Sequence, residues 1–259
     1  MRVGTPRGGF EVAVTGRGGR PLVALHALAL SGRLWDPMAT ALADTRTVLA
    51  PDARGHGGSD WDRGAFTIAD LADDVAAVIE ASADGPVDVI GLSMGGSTAI
   101  LLAQRRPDLV ARLVLADTTA CYGPDRAAQW TERAEKAVGV PRQKQVDFQV
   151  DRWFSPAFIQ ARPDEVRRVS DIFVATDSAA HAAACHAFAG LDAEPGLSEV
   201  KAPTLVLVGR DDYATPPAMA QVLAGRIPDA RLEVLDDTRH LSLIERPDLW
   251  ARVETHLSG

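Results

Sequence analysis

Cysteine is scarce in this sequence. Its 259 residues include only Cys121 and Cys185, too few for a disulfide framework and without metal-ligand spacing. No apolar run approaches the roughly 18 residues of a membrane span. Residues 1–10 carry no apolar stretch like that of a signal peptide. Internal repeats and low-complexity tracts are missing too. Positive charge is in deficit: 27 Lys and Arg face 35 Asp and Glu, for a formal net charge of −8. That balance argues against a general nucleic-acid surface, which needs clustered cations to replace phosphate counterions. It leaves room for a cationic pocket around a small ligand. The expectation is a reduced, soluble, cytoplasmic protein with neither nucleic acid nor membrane as partner. Its oligomeric state stays open.

What is present is an ordinary globular composition, 46% apolar and 24% charged. The length suits one large domain, or one domain carrying an insertion. Short apolar runs alternate with helical patterns, which predicts an α/β fold with a mostly parallel sheet. A weak strand is predicted at 10–14, before a Gly-rich turn at 15–20. Stronger strands are predicted at 21–26, 47–50, 87–92, 112–116, 203–208 and 231–235. These Val/Leu-rich runs show little alternation, as expected of strands buried on both faces. A helix over 68–81 is predicted by apolar residues at 68, 71, 75, 78 and 79 behind the N-cap candidate Thr67. Residues 247–256 read as a terminal helix opened by proline.

From about 119 to 198 the alternation stops. This stretch is helix-like and rich in aromatics, and Pro124, Pro141, Pro156 and Pro163 divide it into short helices. It reads as a helical insertion between the strands at 112–116 and 203–208. The core domain is then 1–118 together with 199–259.

The sharpest signal is Gly91-Leu92-Ser93-Met94-Gly95. An apolar strand stops at a serine flanked by glycines two places away, and a helix-compatible stretch from 97 to 104 follows. A lone G-x-S-x-G is short enough to arise by chance. Between a strand and a helix it is the pattern of a nucleophile elbow, a strained turn that lifts the serine hydroxyl clear of the sheet. Side chains at 91 and 95 would collide with neighbouring backbone.

A serine nucleophile needs a base, and the base needs an orienting carboxylate. The chain order that goes with such an elbow is Ser, then Asp or Glu, then His. Asp211 and Asp212 stand side by side after the strand at 203–208, on the sheet edge where open α/β folds bind ligands. Asp212, third after Gly209, is the choice; either could instead be a solvated turn residue. His240 follows the last strand and is the candidate base among six histidines. His26 would serve the loop after its strand, and His56 has a structural role in a Gly-rich loop. The oxyanion of an ester intermediate needs two backbone N–H groups. Met94 is expected to give one and Leu28 the other, with Ala27 behind it. Ser93 and His240 are both expected on exposed loops.

With these pieces assembled the chain resembles the α/β-hydrolase superfamily over nearly its whole length. The resemblance rests on residues 26–28, Trp35-Asp36-Pro37, Asp52-Ala53-Arg54-Gly55-His56-Gly57, the Ser93 elbow, Asp212 and His240. Within the superfamily it is closest to 3-oxoadipate enol-lactonases, through 91–96, Arg152-Trp153-Phe154, 171–177 and 185–192. It departs from them at Leu25-His26-Ala27-Leu28-Ala29, where those enzymes tend to a polar Ser-Asn-Ser-Leu-Gly-like run. The resemblance implies an α/β-hydrolase fold with 119–198 as a helical lid. It implies a serine hydrolase that opens a small lactone or ester through an acyl-enzyme, with no metal or organic cofactor. The substrate-binding candidates are His26, Ala27, Trp130, Arg133 and Trp153, with Arg133 or Arg152 as the cation for an anionic lactone.

A general carboxylesterase, or a hydrolase of carbon–carbon bonds in ring-fission products, would use the same three residues. Dehalogenase and epoxide-hydrolase relatives place Asp where this chain has Ser93. A slow-turnover ligand receptor on the same fold is the alternative from another class, and an intact serine, histidine and aspartate set argues against it.

Overall fold

Branched aliphatic residues, buried on both faces, build the centre of the molecule. The computed structural model describes residues 1–259. Its eight strands are β1 (Arg2–Thr5), β2 (Gly8–Thr15), β3 (Leu22–Leu25), β4 (Val48–Pro51), β5 (Val87–Leu92), β6 (Val110–Ala116), β7 (Thr204–Gly209) and β8 (Ala230–Leu235). They form one sheet in the order β1-β2-β4-β3-β5-β6-β7-β8. β1 pairs antiparallel with β2, and β2 antiparallel with β4. All other neighbours are parallel. Every residue of β3, β4, β5 and β7 is buried, which is why their sequences do not alternate.

The sequence pattern does not reveal β1. Only Val3 is buried in this four-residue edge strand, so it carries almost no hydrophobic signal and exists through its hairpin pairing with β2.

Eleven α-helices accompany the sheet. Those of the core are α1 (Asp36–Ala41), α2 (Ile68–Ser82) and α3 (Met94–Arg105). Between β6 and β7 come α4 (Arg126–Gly139), α5 (Arg142–Trp153), α6 (Pro156–Ala161), α7 (Pro163–Ala175) and α8 (Ser178–Ala189). The chain closes with α9 (Pro217–Arg226), α10 (Ser242–Glu245) and α11 (Leu249–Ser258). Thr67 caps α2 as read, in a reciprocal capping box with Asp70. The terminal helix starts at Leu249, two residues beyond the expected proline. No helix is long and apolar enough to cross a membrane.

The strand order decides where chemistry can occur. From β3 the chain moves outward to β4, then returns to lay β5 on the other side of β3. The loops leaving β3 and β5 therefore diverge, which opens a crevice at the carboxyl edge of the sheet. Leu25 and Gly91 are register partners at that point, so residues 26–30 and Ser93 emerge side by side. The loops after β6, β7 and β8 reach the same edge.

Candidate active site

Ser93 sits at the junction of β5 and α3 with φ +53° and ψ −113°, a conformation that side chains rarely adopt. Two close approaches enforce it. A Cβ on Gly91 would lie 2.3 Å from the Gly95 carbonyl oxygen, and one on Gly95 would lie 2.2 Å from that of Leu25. The turn is anchored from β6: Ser93 N–H donates to Ala116 O at 2.9 Å, and Thr118 Oγ1 donates to Ser93 O at 2.7 Å. The helix starts at Met94, three residues earlier than its sequence pattern suggests, because Ser97 N–H already bonds Ser93 O.

Asp212 leaves β7 and His240 follows β8. His240 Nδ1 lies 2.8 Å from Asp212 Oδ2, and His240 Nε2 lies 2.9 Å from Ser93 Oγ. A carboxylate only accepts, so the Nδ1 proton is given to Asp212 and the bare Nε2 accepts from the serine hydroxyl. Asp212 is fixed in turn. Its Oδ1 accepts from the N–H groups of Ala214 and Thr215 at 2.7 and 3.0 Å, and its Oδ2 from Thr215 Oγ1 at 2.7 Å. Asp211 is exposed and takes no part in this row. Burial alone would raise the Asp212 carboxyl. The charge of His240, its hydrogen bond and those of Thr215 outweigh burial and bring the pKa down to about 2. Burial also pulls the His240 imidazole down, but the charge and hydrogen bond of Asp212 leave it above its ordinary value.

The loops were expected to be exposed. Ser93 and His240 each show only 7% of their surface, because residues from α4, α5, α7 and α8 cover them.

Asp117, at the end of β6, escaped the sequence reading. It is fully buried with φ +47°. Its Oδ1 accepts from Gly209 N–H at 3.0 Å and its Oδ2 from Ser242 N–H at 2.9 Å. One side chain thus ties the turn carrying Asp212 to the loop carrying His240. Burial, then repulsion from Asp212, pushes its own pKa up. Its signal in the sequence was only a lone aspartate ending an apolar strand.

Leu28 and Ala27 line the same cavity as Ser93 and His240. Leu28 N–H makes no hydrogen bond within the protein. Met94 opens α3, so its N–H is one of the unpaired donors of a helix's first turn. His26 is different. It was read as substrate-binding, but it faces a second small cavity behind the loop, away from Ser93. There its Nδ1–H donates to Ala27 O at 2.8 Å and its Nε2 accepts from Ala53 N–H at 2.9 Å. His56 Nε2 likewise accepts from Ala29 N–H at 3.3 Å. Burial lowers the two rings to about 4 and about 3, so both splint the loop as neutral imidazoles.

The cavity above Ser93 is small, about 30 Å³, room for little more than water. Trp130, Arg133, Arg152 and Trp153 line it, together with Tyr122, Gln149, Phe173 and His181, which the sequence reading did not single out. Trp130 stacks on Phe188 with ring centres 4.4 Å apart, and the Arg133 guanidinium lies 4.7 Å from the Trp130 ring. Arg133, Gln149, Arg152 and His181 also border an outer cleft of about 410 Å³ between α4 and α5.

The fold has known counterparts. A family model described as alpha/beta hydrolase fold matches residues 20–247, and the chain belongs to that family. It is 30% identical over 242 residues to 3-oxoadipate enol-lactonase 2 of Acinetobacter baylyi, covering 93% of this chain and 90% of that protein. It is 33% identical over 244 residues to the pimeloyl-[acyl-carrier protein] methyl ester esterase of Aromatoleum aromaticum, covering 88% and 93%. Among solved structures it is similar to the enol-lactonase from Burkholderia xenovorans LB400, with a TM-score of 0.93 and 32% identity over the full length of both chains. Fold and relatives together define a hydrolase.

Proposed function

We propose that the protein is a serine hydrolase of small lactones or carboxylic esters, with Ser93 as nucleophile, His240 as base and Asp212 as its orienting carboxylate. One observation carries this reading: the unbroken row from Asp212 Oδ2 through His240 to Ser93 Oγ, with 2.8 and 2.9 Å links. As Ser93 Oγ attacks the carbonyl carbon, His240 Nε2 takes its proton, and Asp212 stabilises the imidazolium that forms. The N–H groups of Leu28 and Met94 receive the developing oxyanion. His240 returns the proton to the leaving oxygen, which in a lactone stays tethered as the ring opens. It then activates a water that attacks the acyl-enzyme, releasing the acid and restoring the Ser93 hydroxyl.

In this reading residues 119–198 form a lid over a core made of 1–118 and 199–259. A 30 Å³ cavity is too small for any ester, so substrate enters by displacing the residues shared with the outer cleft. Arg133 and Arg152 would hold an anionic group, while Trp130 and Trp153 give the apolar wall. The names of the relatives, an enol-lactonase and a methyl ester esterase, favour 3-oxoadipate enol-lactone as the first substrate to try and simple esters as the second.

The test is ultraviolet-monitored hydrolysis of that lactone by the purified protein. The expected result is fast loss of the lactone that falls by about 10⁴-fold or more in a folded Ser93→Ala variant. Equal rates in the two proteins would remove Ser93 from the mechanism. Hydrolysis of aryl esters without the lactone would leave the esterase reading.

A further inference from the structure

His181 is buried, 2% exposed, and borders both the cavity above Ser93 and the outer cleft. Its Nδ1 lies 2.6 Å from Arg142 Nη1. A guanidinium can only donate, so this nitrogen accepts and the ring proton is on Nε2. That Nε2–H is buried and has no partner in the protein, an arrangement that folded proteins seldom tolerate without a reason. Arg142 is itself locked: another of its nitrogens donates to Phe173 O, and its guanidinium lies 3.6 Å from the Phe173 ring centre. Phe173 also meets the His181 ring edge-on, 5.8 Å centre to centre. Burial, then the charges of Arg142 and Arg133 and the nearby His56, hold the imidazole neutral, well below its ordinary pKa.

We propose that His181 is a specificity-determining residue, a fixed N–H donor that reads an acceptor oxygen on the part of the substrate remote from the cleaved bond. The inference rests on the hydrolase reading above and narrows its substrate class. Of the other polar groups on this wall, Arg133 and Arg152 can only donate, while Gln149 and Tyr122 can donate as well as accept. A small substrate whose carbonyl reaches Ser93 therefore turns its far end toward donors. A ketone or carboxylate oxygen there satisfies Nε2–H, whereas a purely aliphatic tail leaves it unpaired. Sites built to hydrogen-bond a group discriminate strongly against analogues lacking it.

Three esters of matched size separate the possibilities: methyl pentanoate, methyl 4-oxopentanoate and monomethyl succinate, followed by pH-stat for wild type, His181→Leu and His181→Gln. The wild type is expected to prefer one or both of the oxygen-bearing esters, and which one tells ketone from carboxylate. His181→Leu should lose about tenfold or more in kcat/KM on the preferred ester and change by less than about threefold on methyl pentanoate. His181→Gln, which keeps an N–H donor, should recover part of the loss. A uniform fall on all three esters, or no change, overturns the donor role while leaving the hydrolase reading intact. A wild type inert on all three overturns this inference, and it strikes the hydrolase reading as well only if the lactone and aryl esters are also left intact. Should His181→Leu fail to fold, ¹⁵N spectroscopy of the wild type decides. A neutral ring carrying its proton on Nε2 from about pH 6 to 8, with that signal moving on addition of succinate or 4-oxopentanoate, supports the proposal. A proton on Nδ1, or a ring that titrates in that range, overturns it.

Discussion

The floor of the site and the helices above it are built on opposite principles. On the floor, backbone and side chains leave no slack. Gly91 and Gly95 admit no Cβ, the Asp212 carboxylate has every approach filled, and Asp117 clamps two loops through backbone N–H groups. Above it, aromatic stacking and a few tethers hold α4 to α8. Thr176 Oγ1 donates to Ala29 O at 2.9 Å, Leu241 N–H to Trp153 O at 3.1 Å, and Ser155 N–H to Glu245 Oε1 at 3.1 Å. Beside the cavity above Ser93 this cover leaves buried donors unpaired, Arg142 Nε and His181 Nε2 among them, whereas the core's unpaired groups, Trp35 Nε1, Ser82 Oγ and Ser242 Oγ, do not line that cavity. The floor holds the Ser93 hydroxyl in one place. The cover leaves hydrogen-bonding capacity for a ligand to use, so in the proposed mechanism rate would reside below and selectivity above.

Substitutions can break that division. The largest effect belongs to the floor. Asp212→Asn is expected to cut kcat by about 10⁴-fold, because it deprives the imidazole of its tautomer and its charge partner. Asp211→Asn, on the exposed neighbour, should stay within about twofold. The reverse order in steady-state kinetics would transfer the role to Asp211. Next comes Gly95→Ala, whose methyl would lie 2.2 Å from the Leu25 carbonyl oxygen and would force β3 and α3 apart. A loss of about 3 kcal/mol or more, and a fall in Tm of roughly 6–12 °C, is expected by calorimetry. A Tm within about 2 °C of wild type would mean the floor has slack after all. The smallest effect belongs to the cover. Arg133→Ala should raise KM for an anionic lactone by about tenfold, leave kcat within about threefold and lower Tm by less than about 3 °C. A fall in kcat instead would show that the cover positions the reacting atoms and does more than select among substrates.

What could be read directly was what local chemistry dictates. Residues buried on both faces of a strand are mostly apolar, so β3 to β7 were visible as largely apolar runs, and with them the α/β class, although β5 buries Asp88 against Arg46. The elbow was visible because a strained turn between strand and helix demands glycine at 91 and 95. Asp212 and His240 could be nominated because each follows a strand that ends at the same sheet edge, and the structure brings both to Ser93. β1 was silent because a polar edge strand buries one residue. Asp117 was silent because its partners, Gly209 and Ser242, are 92 and 125 residues away. His26 showed a polar residue at a strand end, and only the packing of residues 52–56 beneath it turned its ring away from the cavity. His181 and Arg142 lie 39 residues apart on different helices. Each is unremarkable alone, and their pairing, with the donor it leaves free, exists only once the first residue of α5 is brought beside α8. Local periodicity and turn sterics are properties of neighbours in sequence, and these the chain determined by itself. Which polar groups meet, and which are left unpaired, depends on contacts between distant residues, and that only the tertiary structure decided.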